Sequence, residues 1–173
     1  MRHIRLATVL TAGWLAKEWP VERFAEVVLM LRRDWEIEPV LLGAGARAVS
    51  YGERFSRLVS GTCNLINQTT LREMAAVLRH CDAYLGGDTG PLHLSAAVHL
   101  PGVALFVNRT AWAPDGINSS RFGPWQSAIR TLAPQAPLPG CAHGCVAPVA
   151  HCIKQIDSGQ VAAVLRDVLR RGD

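Results

Sequence analysis

Gly86-Gly87-Asp88-Thr89-Gly90-Pro91-Leu92-His93-Leu94-Ser95-Ala96-Ala97 joins a predicted strand to a predicted helix. The apolar residues 83–85 just before it predict a short buried strand, and the alanine-rich residues 93–99 predict a helix. Pro91 favours the first turn of that helix, where its missing N–H group breaks no hydrogen bond. The glycines allow a sharp turn and let the backbone come close to a ligand. The stretch therefore predicts a strand, a turn and a helix with a ligand at the turn.

The start of this predicted helix has the properties of an anion site. Its first amide groups and the positive end of the helix dipole attract a group such as a diphosphate. Asp88, Thr89 and His93 add polar side chains at the same place. In open α/β sheets, ligands bind at the carboxyl ends of the strands. The alternative interpretation is a plain strand-to-helix turn in which Asp88 caps the helix.

Predicted strands and helices alternate along most of the chain. This alternation predicts an α/β fold with a mostly parallel sheet and right-handed crossovers. The length of 173 residues, with 49% hydrophobic and 18% charged residues, is typical of one globular domain, which we expect to span residues 1–173. The patterns predict strands at 4–10, 39–42, 64–66, 83–85 and 102–107, helices at 20–33, 48–60, 71–78, 93–99 and 157–171, and a long irregular segment at 108–125.

The charge balance limits the classes of partner. A net charge of +4 and a pI of about 9.0 fit an acidic ligand, a phosphorylated substrate or an anionic membrane surface. The positive charges are too few and too scattered to indicate nucleic-acid binding. No apolar run approaches the ~20 residues of a membrane-spanning helix, and residues 4–10 are too short for the core of a signal peptide. We expect a cytoplasmic protein, at most peripheral at the inner membrane.

Two segments resemble a known family. Asp-Thr-Gly-Pro-x-His-Leu-x-Ala-Ala at 88–97, followed by Pro101 and the apolar residues 103–106, is similar to the donor-site signature of the ADP-heptose:lipopolysaccharide heptosyltransferases, glycosyltransferase family nine. Ala-Lys-x-Trp-Pro-x-Glu-Arg-Phe at 16–24 resembles a second segment of that family. The resemblance implies a Rossmann-like three-layer domain that corresponds to the C-terminal half of a GT-B glycosyltransferase.

The resemblance also implies a ligand and a set of residues that bind it. The ligand is a nucleotide-diphospho-sugar, with ADP-heptose as the family expectation, and the acceptor is a lipopolysaccharide-type or other lipid-linked glycan. Lys17 is expected to reach the donor's phosphate and, with the helix amides, to stabilise the departing nucleotide. These groups make a metal or cofactor unnecessary. The implied donor-binding residues are Gly13, Lys17, Thr69, Asp88, Thr89, Gly90, Leu92 and His93.

The chain departs from the family pattern at two places. Gly43 and Gly45 follow a predicted strand and suggest a nucleotide-binding turn, although this spacing alone is weakly specific. The family's acidic residue after that strand has no clear counterpart, since neither Arg47 nor Glu53 aligns with it. The family's Phe-Gly-Pro-Thr turn is replaced by residues 106–110, where Arg109 is a candidate contact to a phosphate or to the acceptor.

A cysteine-rich turn at 141–152 precedes the last predicted helix. Cys141, Cys145 and Cys152, with His143 and His151 between them, are candidate ligands for zinc or iron. The spacing matches no standard metal motif. The alternative is a turn that holds unmodified thiols or one disulfide, and the five cysteines of the chain do not suggest a secreted framework.

The catalytic base is the main element that the sequence does not supply. Family enzymes have two Rossmann-like domains, and the resemblance covers only the second, whereas the general base belongs to the first. For Asp88, capping or ligand positioning is favoured over proton abstraction. We therefore expect an N-terminal domain or a partner chain to complete a glycosyltransferase. The alternative is a non-enzymatic nucleotide-sugar-binding or assembly module, and a lone domain of this kind is expected to self-associate.

Overall fold

The computed structural model describes residues 2–108, 118–141 and 147–171. Six strands form one sheet in the order β3-β2-β1-β4-β5-β6, and each neighbouring pair is parallel. The strands are β1 (His3–Val9), β2 (Glu36–Leu41), β3 (Cys63–Asn64), β4 (Ala83–Gly87), β5 (Gly102–Leu105) and β6 (Ile129–Leu132). The helices are α1 (Val21–Leu31), α2 (Ala46–Leu58), α3 (Leu71–Arg79), α4 (Gly90–Ala97), α5 (Ser119–Phe122) and α6 (Ser158–Arg171), with 3₁₀ turns at Leu15–Lys17 and Cys152–Gln155.

The sheet lies between two helical layers. Alternate residues of each central strand enter opposite cores, as β1 shows with Leu6 on one face and Ala7 on the other. Helices α1, α2 and α6 bury their apolar faces against the first side of the sheet, and α3 and α4 cover the second. This arrangement confirms the predicted Rossmann-like three-layer α/β fold.

The strand order reverses between β1 and β4. From β1 the chain moves outward to β2 and β3, and it then returns to place β4 on the other side of β1. Val9, at the end of β1, is level with Gly86 of β4. Because the connections leave in opposite directions here, a crevice forms at the carboxyl ends of these two strands.

Close backbone packing holds β4 against β5. A Cβ atom on Gly102 would lie 2.3 Å from the carbonyl oxygen of Tyr84, so no larger residue fits without movement of the strands. Tyr84 is fully buried, and its hydroxyl donates to the carbonyl of Gly87 at 3.3 Å. Burial is the main cause that raises the pKa of Tyr84. These contacts fix the end of β4, from which the turn at Asp88 begins.

The structure adds elements to those predicted. Strand β6 and the one-turn helix α5 were not predicted, and α5 lies inside the segment expected to be irregular. Helix α2 starts at Ala46, two residues before the predicted start. Thr70 and Glu73 form a capping box at the start of α3, with both reciprocal hydrogen bonds present. None of the helices in the described part of the chain is long and apolar enough to cross a membrane.

Candidate functional site

A cleft of about 900 Å³ opens at the carboxyl ends of β1 and β4. Its walls come from the loop after β1, the loop between β2 and α2, and the starts of α2, α3 and α4. The N-termini of α2 and α4 therefore both border this cavity. Residues on its wall include Gly13, Gly43, Gly45, Thr89, Gly90 and His93.

Glycines keep parts of the cleft wall open. Cβ atoms built on Gly13 and Gly90 would meet no heavy atom within 4 Å, so the backbone at these two positions borders empty space. Gly43 and Gly45 have φ angles of +144° and +95°, which residues with a side chain rarely adopt. The loop between β2 and α2 thus depends on glycine for its path, and a ligand can reach its backbone.

A largely buried ion pair precedes the part of the cleft wall formed by Thr89. Nζ of Lys17 is 2.7 Å from Oδ2 of Asp88 and also donates to the Asp88 carbonyl at 3.4 Å. The two side chains are 16% and 9% exposed. The pair joins the 3₁₀ turn Leu15–Lys17 to the turn between β4 and α4, which brings an ammonium group next to Thr89.

The first turn of α4 differs in detail from the predicted turn. Thr89, not Asp88, is the N-cap residue, and its side chain makes no capping hydrogen bond. The interpretation of Asp88 as a helix cap is therefore wrong, because its carboxylate is bonded to Lys17 instead. Within this first turn, the Leu92 amide already donates to the Thr89 carbonyl at 3.1 Å, and Pro91 has no N–H group. The Gly90 amide is therefore the first-turn group that can donate to a ligand in the cleft.

A second ionic contact shapes the same wall. Glu18 is only 4% exposed, and its Oε1 accepts hydrogen bonds from Arg47 Nε at 2.8 Å and from the Ala12 amide at 3.0 Å. Arg47 also donates to the Ala12 carbonyl at 2.7 Å. Burial, followed by the charge of Glu18, raises the pKa of Tyr51 nearby. This network ties the loop after β1 to the start of α2, and sequence reasoning did not pair Glu18 with Arg47.

Four of the predicted donor-site residues line the cleft, namely Gly13, Thr89, Gly90 and His93. Lys17 and Asp88 do not line the cleft, and their ion pair lies at the residue before Thr89, which does. The remaining two predicted residues, Leu92 and Thr69, do not line the cleft. The Leu92 side chain is fully buried in the core, where it packs beneath the turn.

The Thr69 hydroxyl oxygen is nevertheless unusual. It is buried and has no hydrogen-bond partner in the described part of the chain. A threonine hydroxyl at the surface would have water as its partner, so the burial of this oxygen shows that the position is enclosed. Arg109, the other candidate contact, lies outside the described residues.

Three of the candidate metal-binding side chains meet before α6. Cys141 Sγ lies 3.6 Å and Cys152 Sγ lies 3.7 Å from Nδ1 of His151. Both cysteines are buried, and burial raises the pKa of the Cys152 thiol. The four described cysteines form no disulfide bond with one another. The remaining candidate, Cys145, falls outside the described residues.

Comparison with known proteins identifies relatives over most of the chain. A family model described as glycosyltransferase family 9 (heptosyltransferase) matches residues 3–131. Lipooligosaccharide heptosyltransferase 2 of Campylobacter jejuni is 25% identical over 163 residues, which is 90% of this chain and 47% of that protein. This chain therefore spans about half the length of the curated relative.

Solved structures show the same architecture. A family 9 glycosyltransferase from Veillonella parvula superposes with a TM-score of 0.78 at 20% identity, over 97% of this chain and 46% of that one. The ADP-heptose lipopolysaccharide heptosyltransferase II of E. coli superposes with a TM-score of 0.74 at 22% identity, over 98% of this chain and 47% of that one. At these identities, the two structures establish the fold.

Proposed function

The chain belongs to glycosyltransferase family 9 (heptosyltransferase), and from that membership we propose that residues 1–173 form the donor-binding domain of a heptosyltransferase-like enzyme. The proposed donor is a nucleotide-diphospho-sugar. ADP-heptose is the first candidate because the E. coli relative is named for it. The proposed acceptor is a lipopolysaccharide-type glycan, since the curated relative is a lipooligosaccharide heptosyltransferase.

The observation that carries the proposal is the position of Lys17. Its ammonium group contacts Asp88, which precedes the N-cap residue Thr89 of α4, and Thr89 lines a cleft large enough for a nucleotide. A diphosphate at this point would accept hydrogen bonds from the Gly90 amide and the Thr89 hydroxyl, and it would lie near His93. A lysine close to a helix N-terminus adds to the attraction of the helix dipole for an anion.

The opposite end of the cleft offers a surface for the nucleoside. Leu71 and Met74 on α3 contribute apolar wall, and Leu71 is 70% exposed. An exposed leucine beside a cavity gives a base a flat apolar contact. Glycines 43 and 45 bring backbone close to the same space, so ribose hydroxyls can bond to main-chain groups there. Arg47, held by Glu18, lines the same part of the cleft.

The proposed chemistry is electrostatic. As the bond to the sugar breaks, negative charge grows on the departing diphosphate, and the donors at α4 together with Lys17 stabilise that charge. Asp88 is buried and bonded to Lys17, which fits a positioning role and not that of a general base. We propose that the base that activates the acceptor hydroxyl comes from a further domain or from a partner chain.

Calorimetry with ADP and ADP-heptose tests the proposal. We expect binding by the wild type and at least ~10-fold weaker binding by His93→Ala, because a donor near the phosphates is lost. His80→Ala is the matched control, since His80 is an exposed histidine at the end of α3 and away from the cleft. The proposal would be contradicted if the wild type bound neither ligand, or if His80→Ala lost as much affinity as His93→Ala. Binding without any heptosyl transfer, when the complete assembly is assayed, would instead favour the binding-module alternative.

A further inference from the structure

The Cys141–His151–Cys152 cluster is the feature that the proposed function leaves unused. Its three potential ligand atoms lie within 4.8 Å of one another. We propose that it binds a zinc ion, and that the ion holds together the segment on which the Lys17 loop rests. The inference concerns a structural metal site and does not depend on the identity of the donor.

The distances within the cluster match those of a tetrahedral zinc site. Zinc–sulfur and zinc–nitrogen bonds of about 2.3 and 2.0–2.1 Å, at a tetrahedral angle, place sulfur and nitrogen ligands about 3.6 Å apart. The observed separations from Nδ1 of His151 are 3.6 Å to Cys141 Sγ and 3.7 Å to Cys152 Sγ. Both separations from the imidazole therefore fit one bound ion, and the two sulfur atoms lie within 4.8 Å of each other.

The chemistry of the donor set favours zinc. Thiolate and imidazole are the ligands that a borderline-soft divalent ion prefers. Two thiolates and a neutral histidine would balance the charge of a dication, so the filled site would be neutral. Neutrality matters here because Cys141 and Cys152 are 1% and 0% exposed, and an unbalanced charge at that depth is unfavourable.

The backbone around the cluster supports the positions of both sulfur atoms. The Leu138 amide donates to Cys152 Sγ at 3.4 Å, and hydrogen bonds of this kind orient metal-bound thiolates. The Cys141 amide in turn donates to the Leu138 carbonyl at 3.0 Å, which closes a turn through Pro139 and Gly140. Gly140 has a φ angle of +86°, which this turn requires. The same turn thus positions Cys141 and supplies the donor to Cys152.

The cluster is continuous with the support of the candidate site. Cys152 begins the 3₁₀ turn Cys152–Gln155, and the next residue, Ile156, accepts a hydrogen bond from Trp19 Nε1 at 3.1 Å. Arg23 also donates to the Ile156 carbonyl, at 2.6 Å. Because Trp19 follows Lys17 by two residues, an ion that fixes the Cys152 turn would also restrain the loop that carries Lys17.

Metal analysis and cobalt substitution test the proposal on the full chain. Freshly purified protein is expected to contain about one zinc ion per chain, and cobalt exchanged into the site should give the visible absorption of a tetrahedral cobalt–thiolate centre. Cys152→Ser and His151→Ala should reduce the metal content to background. Cys63→Ser is the matched control, because Cys63 is a cysteine on β3 outside the cluster, and it should retain the metal.

Chelation of the wild type decides the question if the ligand variants fail to fold. Removal of zinc should lower the melting temperature, and stoichiometric zinc should restore it. Folded wild type that contains no zinc and gives no cobalt–thiolate absorption would overturn the proposal, since the thiols would then only share hydrogen bonds with His151. Equal loss of metal in Cys63→Ser would overturn it as well.

Discussion

Lys17→Met tests whether the Lys17–Asp88 pair stabilises the fold and whether Lys17 also binds the nucleotide. The substitution keeps most of the side-chain length and removes the ammonium group, which leaves the Asp88 carboxylate unpaired at 9% exposure. Exposed ion pairs contribute up to ~1 kcal/mol, whereas breaking a buried pair costs about 3–5 kcal/mol. A pair at 16% and 9% exposure lies between these limits, so we expect a loss of about 2 kcal/mol. For a chain of 173 residues this loss corresponds to a decrease of roughly 4–8 °C in melting temperature.

The double variant Lys17→Met/Asp88→Asn removes both charges and should recover most of that stability. It should still bind ADP about 10- to 100-fold more weakly than the wild type, because a charged hydrogen bond to the phosphate contributes about 1.5–3 kcal/mol. Asp88→Asn alone keeps the ammonium group and an oxygen that can accept a hydrogen bond from it, so this variant should lose much less ADP affinity than Lys17→Met.

The wild type, the two single variants and the double variant form a double-mutant cycle. Thermal unfolding measures the stability of these four proteins, and calorimetry measures their affinity for ADP. Lys154→Met is the control, since Lys154 is an exposed lysine on the 3₁₀ turn Cys152–Gln155 and not on the loop that precedes α1. The proposal that Lys17 binds the phosphate would be refuted if the double variant kept the ADP affinity of the wild type. It would also be refuted if Asp88→Asn and Lys17→Met lost the same amount of ADP affinity.

Three further predictions concern the scaffold. Gly102→Ala should lower the free energy of unfolding by about 2–4 kcal/mol in urea titrations, because its Cβ would lie 2.3 Å from the Tyr84 carbonyl. Gly13→Ala is the control, since that position faces open space, and its free energy of unfolding should stay within ~0.5 kcal/mol of the wild type. An equal loss of stability in the two variants would contradict the packing argument. Thr70→Ala should lower the free energy of unfolding by about 1 kcal/mol, because the capping box is lost. An unchanged free energy of unfolding in the same assay would be inconsistent with that cap. Burial raises the pKa of Cys81 from its ordinary value of 9.0 to about 12, so the folded state favours the protonated thiol. The stability that this thiol contributes is present below pH 9 and is lost as the pH rises towards 12. Cys81→Ala should show a smaller loss of stability over that interval, and a pH profile identical to that of the wild type would disprove the assignment.

Local sequence signals predicted the central strands and their helices well. Apolar runs that end in glycine, and the capping pattern at Thr70, are short-range features that need no tertiary information. Strand β6 lacked such a signal, since its four residues include Arg130 and Thr131 and only Ile129 is buried. It forms because β5 presents an edge for parallel pairing, and this is a tertiary cause.

The candidate site was predictable to the extent that it depends on the turn before α4. Thr89, Gly90 and His93 follow one another closely, so the local motif brought them together. The partner of Asp88 lies 71 positions away in sequence, and the Glu18–Arg47 contact spans 29 positions. Such pairs result from the order of the strands and from burial, which the spacing of charged residues in one sequence does not encode.

A crystal structure of this chain with ADP tests the central claim most directly. The account predicts that the diphosphate lies in the cleft between β1 and β4, within about 3 Å of the Gly90 amide and of Lys17 Nζ. A nucleotide bound elsewhere on the chain, or a diphosphate in the cleft that contacts neither group, would contradict it.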